Sequence, residues 1–301
     1  MASRELIVNA DEFGLTEGVN HGIVKVHRQG IVTSTTMVAN EHAFEHAIEL
    51  SKQVPELAIG VHLNVTHGSP VLPEVRVYSL VDDEGLFHRR GRFLQRMVAG
   101  RIDLVQVEDE FRAQIEKVVE AGLRPSHLDS HESIYMYPAI FKVLAGLARE
   151  FSLPVRLQDE PMSRAAFASR EAYLRYVSSE ALLKNEVMKM LSRRYRVLLR
   201  DWGIPTTDSF LSTFNCLRKD PDSLERALTR ELEALPPGVT ELMVHPGFSD
   251  SLLESSLDGG HEAALLREEE VRILTDPRLR GLLERCEVRL IDYRALTAAV
   301  A

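Results

Sequence analysis

The 301-residue chain has few cysteines and no long apolar segment. Its two cysteines, Cys216 and Cys286, lie far apart without the spacing of a zinc site, so we expect small buried hydrophobic residues or inert thiols. No hydrophobic run approaches the roughly 20 residues that span a bilayer. The N-terminal residues lack the apolar core and cleavage signal of a secretory peptide. These absences predict a protein of the reducing cytoplasm, with no membrane partner.

The chain also has no excess of basic over acidic residues. The chain has 36 lysines and arginines against 45 aspartates and glutamates, a formal net charge of -9. Because nucleic acids are bound largely through basic contacts to phosphates, this balance argues against a nucleic-acid partner. The composition, 45% hydrophobic and 27% charged residues, is close to that of soluble globular proteins. It is sufficient for a large core, and we expect a single domain over residues 1–301.

Short apolar runs alternate with longer amphipathic patterns along the chain. The runs predict strands at Leu6–Asn9, Thr33–Ala39, Ala58–His62, Ser126–Asp129, Val155–Leu157, Ser209–Leu211, Glu241–His245 and Val288–Ile291. The amphipathic patterns predict helices that include Glu17–Gln29, Glu41–Gln53, Asp103–Ala121 and Pro138–Phe151. In the third of these, Asp103 is a suitable N-cap, Gly122 a suitable stop, and the apolar stripe is Val107, Phe111, Ile115, Val118 and Val119.

This alternation predicts an α/β fold with a parallel sheet covered by helices. Seven or eight such units in about 300 residues fit a (β/α) barrel better than a doubly wound sheet. The glycines after the first run are spaced wrongly for a dinucleotide-binding fingerprint. Residues 66–100 predict a long loop, and residues 161–200 a basic helical insertion. The simple interpretation of the insertion is a solvated helical surface. The functional interpretation is a lid or a subunit contact.

Most of the informative polar residues lie at the carboxyl ends of the predicted strands. In chain order they are Asp11, Glu12, Asn40, His62, Asp129, His131 and His245. In a parallel barrel these ends lie on one face, around the axis. Burying so many ionisable groups there is costly unless they form ion pairs or bind a metal. The pattern therefore predicts an enzyme.

Histidine and carboxylate ligands together suit zinc or another divalent ion. His62 and His131 come from different strand ends, and the Asp11–Glu12 pair could supply a third ligand. Three protein ligands would leave positions open for water and substrate. His42 and His46 are four residues apart on a predicted helix, but nothing nearby in the sequence supplies a third ligand, so a surface location is expected. The other histidines that we interpret as structural are His21, His27, His67, His88 and His261.

Several segments resemble the YdjC-type carbohydrate deacetylases, which include chitooligosaccharide deacetylases and hopanoid-associated members. The segments are N-A-D-E-F-G-L-T-E-G-V-N, G-I-V-T-S-T-T, I-G-V-H-L-N-V-T-H-G-S-P-V, R-P-S-H-L-D-S-H and E-L-M-V-H-P-G. They run in order from residue 5 to about 160 and resume at 239–250. The resemblance implies a distorted (β/α) barrel related to the polysaccharide deacetylases. It also implies hydrolysis of an N-acetyl group from a sugar, one divalent metal ion (Mg²⁺ or Zn²⁺), and often a homodimer.

The resemblance also assigns roles to residues at the strand ends. Asp11 matches the general base of the family, and Glu12 matches a metal-ligand position. His62 and His131 match the remaining ligands. His245 lies in the late H-P-G segment, where a general acid or orienting role is expected. An unperturbed histidine titrates near neutral pH, which suits protonation of a departing amine.

Three further residues are expected to support the site, and two positions depart from the family pattern. His127 and Asp129 are expected to orient the ligands, with Asp129 holding His127 or His245. Asn40 is expected near the ligands or the substrate.

Many members have aspartate where this chain has Glu12. Many also have further histidines where this chain has residues 132–135, which predicts a different sugar preference. Two alternatives stay open: another metal-dependent barrel hydrolase or isomerase, and a non-catalytic sugar-binding relative.

Overall fold

The centre of the molecule is a curled parallel sheet. The computed structural model describes residues 3–161, 167–220, 222–256 and 259–298. Within these ranges the strands are β1 (Arg4–Phe13), β2 (Ser34–Met37), β3 (Ala58–Leu63), β4 (Leu128–Ser130), β5 (Ser209–Ser212), β6 (Gly238–Val244) and β7 (Val288–Leu290). Their order is β4-β3-β2-β1-β6-β5, β7 pairs with the start of β1, and each of these pairs is parallel.

Helices surround this sheet. They are α1 (Glu17–Gln29), α2 (Phe44–Ser51), α3 (Arg90–Val98), α4 (Leu104–Glu120), α5 (Pro138–Phe151), α6 (Arg170–Val177), α7 (Glu180–Asp201), α8 (Thr213–Lys219), α9 (Leu224–Glu233), α10 (Ser251–Ser256), α11 (Gly260–Leu274), α12 (Pro277–Arg285) and α13 (Arg294–Ala298). Two short 3-10 helices lie at Glu74–Arg76 and His131–Met136. Among the described helices, none is both long enough and apolar enough to cross a membrane.

The predicted helix before β4 shows how the local sequence specifies these elements. Asp103 accepts a hydrogen bond from the backbone N of Val105 at 2.9 Å, which caps α4. Four members of the predicted stripe are buried against the core: Val107, Phe111, Ile115 and Val118. Val119 is instead 45% exposed, because it lies on the flank of that stripe. The stripe is therefore narrower than the sequence pattern predicts.

The prediction of a strand at Val155–Leu157 is wrong, because Val155 makes only an isolated bridge to Leu128. The backbone N of Val155 donates to Pro205 O rather than to a neighbouring strand. The segment nevertheless joins the two ends of the sheet. Arg156 N donates to Leu128 O in β4, and Phe210 N in β5 donates to Asp159 O. The sheet therefore curls into the predicted distorted barrel.

The helical insertion predicted around 161–200 is present as α6 and α7. Residues 162–166 of that prediction lie outside the described part of the chain. The helices α1 and α5 begin and end where the sequence pattern places them, whereas β1 and β6 are longer than the predicted Leu6–Asn9 and Glu241–His245. The second predicted helix begins later, at Phe44, because residues 41–43 form turns instead.

Candidate active site

The carboxyl end of β1 carries the adjacent acids Asp11 and Glu12. The pairing of β1 with β2 is irregular between Ala10 and Phe13. Within this irregularity Glu12 has a φ of +74°, a conformation that costs a non-glycine residue about 1–3 kcal/mol. The two buried carboxylates consequently reach different partners. Asp11 is bound by Arg156, whereas Glu12 is bound by Arg267.

Three of the predicted ligands come together beside this strand end. One ligating atom from each of Glu12, His62 and His131 lies within 4.8 Å of the other two. His62 is the penultimate residue of β3 and His131 directly follows β4, so two neighbouring parallel strands position the two imidazoles. His131 Nδ1 is 3.3 Å from Glu12 Oε1, and the rings of His62 and His131 are 5.6 Å apart. This group has the composition of a divalent-metal site.

Asp129 fixes the orientation of His62. His62 Nδ1 donates to Asp129 Oδ1 at 2.7 Å, which leaves Nε2 as the ring atom available to an ion. Thr36 Oγ1 donates to Asp129 Oδ2 at 3.1 Å. Asp129 thus holds His62, rather than His127 or His245 as the sequence analysis expected. Asp11, His62 and Asp129 form a second acid–histidine group, but both acids of that group are bound by Arg156.

Arg156 is the most important polar residue that the sequence analysis missed. Its guanidinium is 1% exposed and forms ion pairs with three buried carboxylates: Asp11 at 2.6 Å, Asp129 at 2.7 Å and Glu241 at 2.7 Å. Burial would raise the pKa of Asp11, but the guanidinium outweighs it and holds that pKa well below its usual range. An arginine inside the apolar run P-V-R-L was the available signal, because a buried arginine requires acidic partners.

Behind Arg156 lies a buried network around Glu241. Burial raises the pKa of Glu241 to about 7, despite the neighbouring Arg156. The Tyr293 hydroxyl donates to Glu241, and the Tyr293 ring stacks on His127 with centroids 3.5 Å apart. Burial also lowers the pKa of His127 well below 6.5, so this imidazole is neutral. The structure therefore places His127 in a packed layer against Tyr293.

His245 follows β6 and faces the same group. Its Nε2 is 3.9 Å from Asp11 Oδ2, and its backbone N donates to Glu270 Oε2 at 2.5 Å. Burial lowers the pKa of His245 to about 4. The expectation that this histidine titrates near neutral pH is therefore wrong. It is a neutral imidazole at pH 7, because the attraction of Asp11 and Glu12 only partly offsets the cost of its burial.

Four of these acids and histidines form the floor of a cavity of about 770 Å³. Asp11, Glu12, His62 and His245 line that floor, and Phe214 lies beside His245 with ring centroids 4.7 Å apart. One face of α7 forms an apolar wall, with Leu183, Val187, Met188 and Leu191. The insertion is therefore part of the cavity and not only a solvated surface helix.

Asn40 lies apart from this floor. Its amide donates to His67 O at 3.0 Å and Ser69 O at 2.9 Å, so it holds the loop that follows β3. His67, which the sequence analysis interpreted as structural, accompanies this loop. Its Nδ1 is 2.6 Å from Glu41, and its ring is 5.8 Å from the ring of His131. His46 contacts Asn20, and within the described residues neither His42 nor His46 joins a metal-type group.

Comparison with known proteins identifies the family of this chain. The YdjC-like protein family matches residues 5–285. A carbohydrate deacetylase from Brevibacillus brevis is 33% identical over 97% of this chain and 99% of its own length. One from Vibrio cholerae is 34% identical over 98% of this chain and 97% of its own length. A crystal structure from Enterococcus faecalis V583, of a protein named for cellobiose-phosphate cleavage, has a TM-score of 0.78 and 31% identity, with 98% and 99% of the two chains covered. This chain belongs to the YdjC-like protein family.

Proposed function

We propose that this protein is a metal-dependent carbohydrate deacetylase. It would remove the N-acetyl group from an amino sugar or a chitooligosaccharide-like substrate and release acetate. The observation that carries the proposal is the group of Glu12, His62 and His131, two members of which, Glu12 and His62, line a cavity together with Asp11 and His245. The names of the two bacterial relatives, both carbohydrate deacetylases, support the substrate class.

The donor set suits one divalent ion. Two imidazole nitrogens and one carboxylate oxygen favour zinc over magnesium, which prefers oxygen ligands and retains several waters. When bound, such an ion supplies a Lewis acid that polarises an amide carbonyl and acidifies water. Asp129 supports this arrangement, because it orients His62 through Nδ1.

Asp11 and His245, which flank this group, can accept and pass on the proton that the attacking water loses. Asp11 is ionised at neutral pH and can accept a proton from the attacking water. His245 lies 3.9 Å from Asp11 Oδ2 and is neutral before the reaction. It must therefore first receive the proton, from Asp11, before it can protonate the departing amine. Arg156 donates to both oxygens of Asp11, at 2.7 and 2.6 Å, and so fixes the orientation of this carboxylate.

The proposal is tested with Asp11→Asn. We expect its deacetylation rate to fall by about 100-fold or more, while its circular dichroism spectrum and zinc content stay unchanged. Asp109→Asn is the matched control, because Asp109 pairs with Arg76 on the exposed surface. A rate near that of the unaltered protein in Asp11→Asn would contradict the assignment of Asp11 as the base.

The substrate class and the metal are tested by one screen for released acetate. N-acetylglucosamine and its oligomers are incubated with the protein and Mg²⁺, Zn²⁺, Co²⁺ or no metal. We expect acetate with at least one metal and none after chelation. Binding of acetylated sugar without acetate release under any condition would favour the sugar-binding alternative. Conversion of free sugars without acetate would favour an isomerase.

A further inference from the structure

Arg267 is a buried arginine that belongs to none of the segments used to recognise the family. It lies on α11, its side chain is 8% exposed, and its Nη2 is 2.7 Å from Glu12 Oε2. The other oxygen of Glu12, Oε1, faces His131 Nδ1 at 3.3 Å. One oxygen of the Glu12 carboxylate therefore contacts the guanidinium, and the other faces the metal-type group.

The rest of α11 and its neighbours hold this arginine in place. The carbonyl oxygen of Arg267 accepts a hydrogen bond from Gly247 N, just beyond His245. One turn further along α11, Glu270 accepts a hydrogen bond from the backbone N of His245. Thr213 Oγ1 donates to the other oxygen of Glu270. One helix therefore contacts both Glu12 and the segment that carries His245.

Glu12 needs such a partner for two reasons. Its φ of +74° is unfavourable for a non-glycine residue, so the surrounding contacts must hold the backbone there. A glutamate also has one more rotatable bond than an aspartate, so its carboxylate has more orientations to lose when it binds an ion. The ion pair with Arg267 holds one oxygen of Glu12 on the side of the guanidinium, which restricts the other oxygen to the side of His131.

We propose that Arg267 is a positioning residue that presents Glu12 Oε1 to a divalent ion held with His62 and His131. The inference rests on the proposed function, because it assumes that this group binds an ion. Partners of this kind typically contribute about 10–100-fold to metal affinity. Removal of a positive charge near the site would by itself strengthen cation binding. A loss of affinity therefore identifies orientation, and not charge, as the effect of Arg267.

The test measures binding of Zn²⁺ alone to the full chain by chelator competition, without any activity assay. We expect Arg267→Met to bind Zn²⁺ about 10–100-fold more weakly than the unaltered protein. Arg267→Lys keeps the charge but loses the planar fork, and we expect an intermediate affinity. Arg280→Met is the matched control, because Arg280 donates to Gly30 O away from the site, and its affinity should be unchanged.

A double-mutant cycle with Glu12→Gln separates positioning from a general effect on folding. If Arg267 acts through Glu12, Arg267→Met should cause no further loss of Zn²⁺ affinity in the Glu12→Gln background. An equal loss in both backgrounds, or unchanged or tighter binding in Arg267→Met, would overturn the inference and leave the proposed function standing. Absence of Zn²⁺, Mg²⁺ and Co²⁺ binding to the unaltered protein would overturn both.

Discussion

Replacement of Arg156 by methionine is the strongest single perturbation that the structure suggests. The guanidinium is 1% exposed and pairs with Asp11, Asp129 and Glu241, each at most 2% exposed. Methionine fills much of the same volume but leaves three buried carboxylates without their cation. Removal of one partner from a buried ion pair costs about 3–5 kcal/mol. Because one guanidinium serves three acids here, we expect a loss of about 5 kcal/mol in the free energy of unfolding near pH 8.

The loss should depend on pH in a defined direction. Without Arg156, burial raises the folded-state pKa values of the three carboxyls above their unfolded values of about 4. At a pH between the unfolded-state and the folded-state pKa of a carboxyl group, the folded state binds more protons than the unfolded state. Acidification in that range therefore stabilises the variant. The deficit relative to the unaltered protein should therefore shrink by at least about 1.4 kcal/mol, equivalent to one proton over one pH unit, between pH 8 and pH 5.5.

Urea unfolding at these two pH values measures both quantities. The single tryptophan, Trp202, provides a fluorescence signal, and circular dichroism provides a second signal to check two-state behaviour. Arg112→Met is the control, because Arg112 forms a partly exposed surface cluster with Glu108 and Glu150 and should lose no more than about 1 kcal/mol. A loss below about 1 kcal/mol in Arg156→Met near pH 8, or a loss independent of pH, would refute the reasoning.

Three smaller predictions follow from individual contacts. Burial raises the Glu241 pKa from 4.5 to about 7, so the folded state retains a proton and stability falls as pH rises through this range. In Glu241→Gln, the free energy of unfolding should therefore decrease by about 3 kcal/mol less across this pH range than in the unaltered protein, as measured by urea unfolding. Gly60→Ala places a methyl group 2.5 Å from His127 Nδ1, and calorimetry should show a lower Tm, equivalent to about 1–3 kcal/mol. Asp103→Ala removes the cap of α4 and should cost about 1 kcal/mol in urea unfolding, with acetate release unchanged.

Local patterns in the sequence predicted most of the fold. The bounds of α1 and α5 follow from the 3.6-residue apolar period together with Thr16 as a cap and Pro138 at the first turn. The failure at Val155–Leu157 has a physical cause. The backbone hydrogen bonds of this segment to β4 both involve Leu128 and form one isolated bridge, and the N–H of Val155 is taken by Pro205 O, so no continuous ladder forms. Composition cannot reveal that difference.

The predicted ligands of the site come together as expected, but their partners do not follow from any motif. Asp11 and Arg156 are separated by 145 positions in the chain, and Arg267 lies on a helix far from Glu12 in sequence. The apolar run P-V-R-L indicates that Arg156 is buried but does not identify its partners, and no local pattern marks Arg267. The neutral state of His245 also depends on burial by surrounding elements, which shifts its pKa to about 4. The chemical state of a residue is therefore less predictable than its location.

The sequence by itself determined the alternation of strands and helices and the placement of acids and histidines at strand ends, because apolar periodicity and chain order are local properties. Only the tertiary structure decided which partner each of the two adjacent acids at the end of β1 contacts. The left-handed backbone at Glu12 and two buried arginines from distant segments direct Asp11 toward Arg156 and Glu12 toward Arg267 and His131. Buried carboxylates require compensating charge, and the fold alone determines which cation reaches each of them.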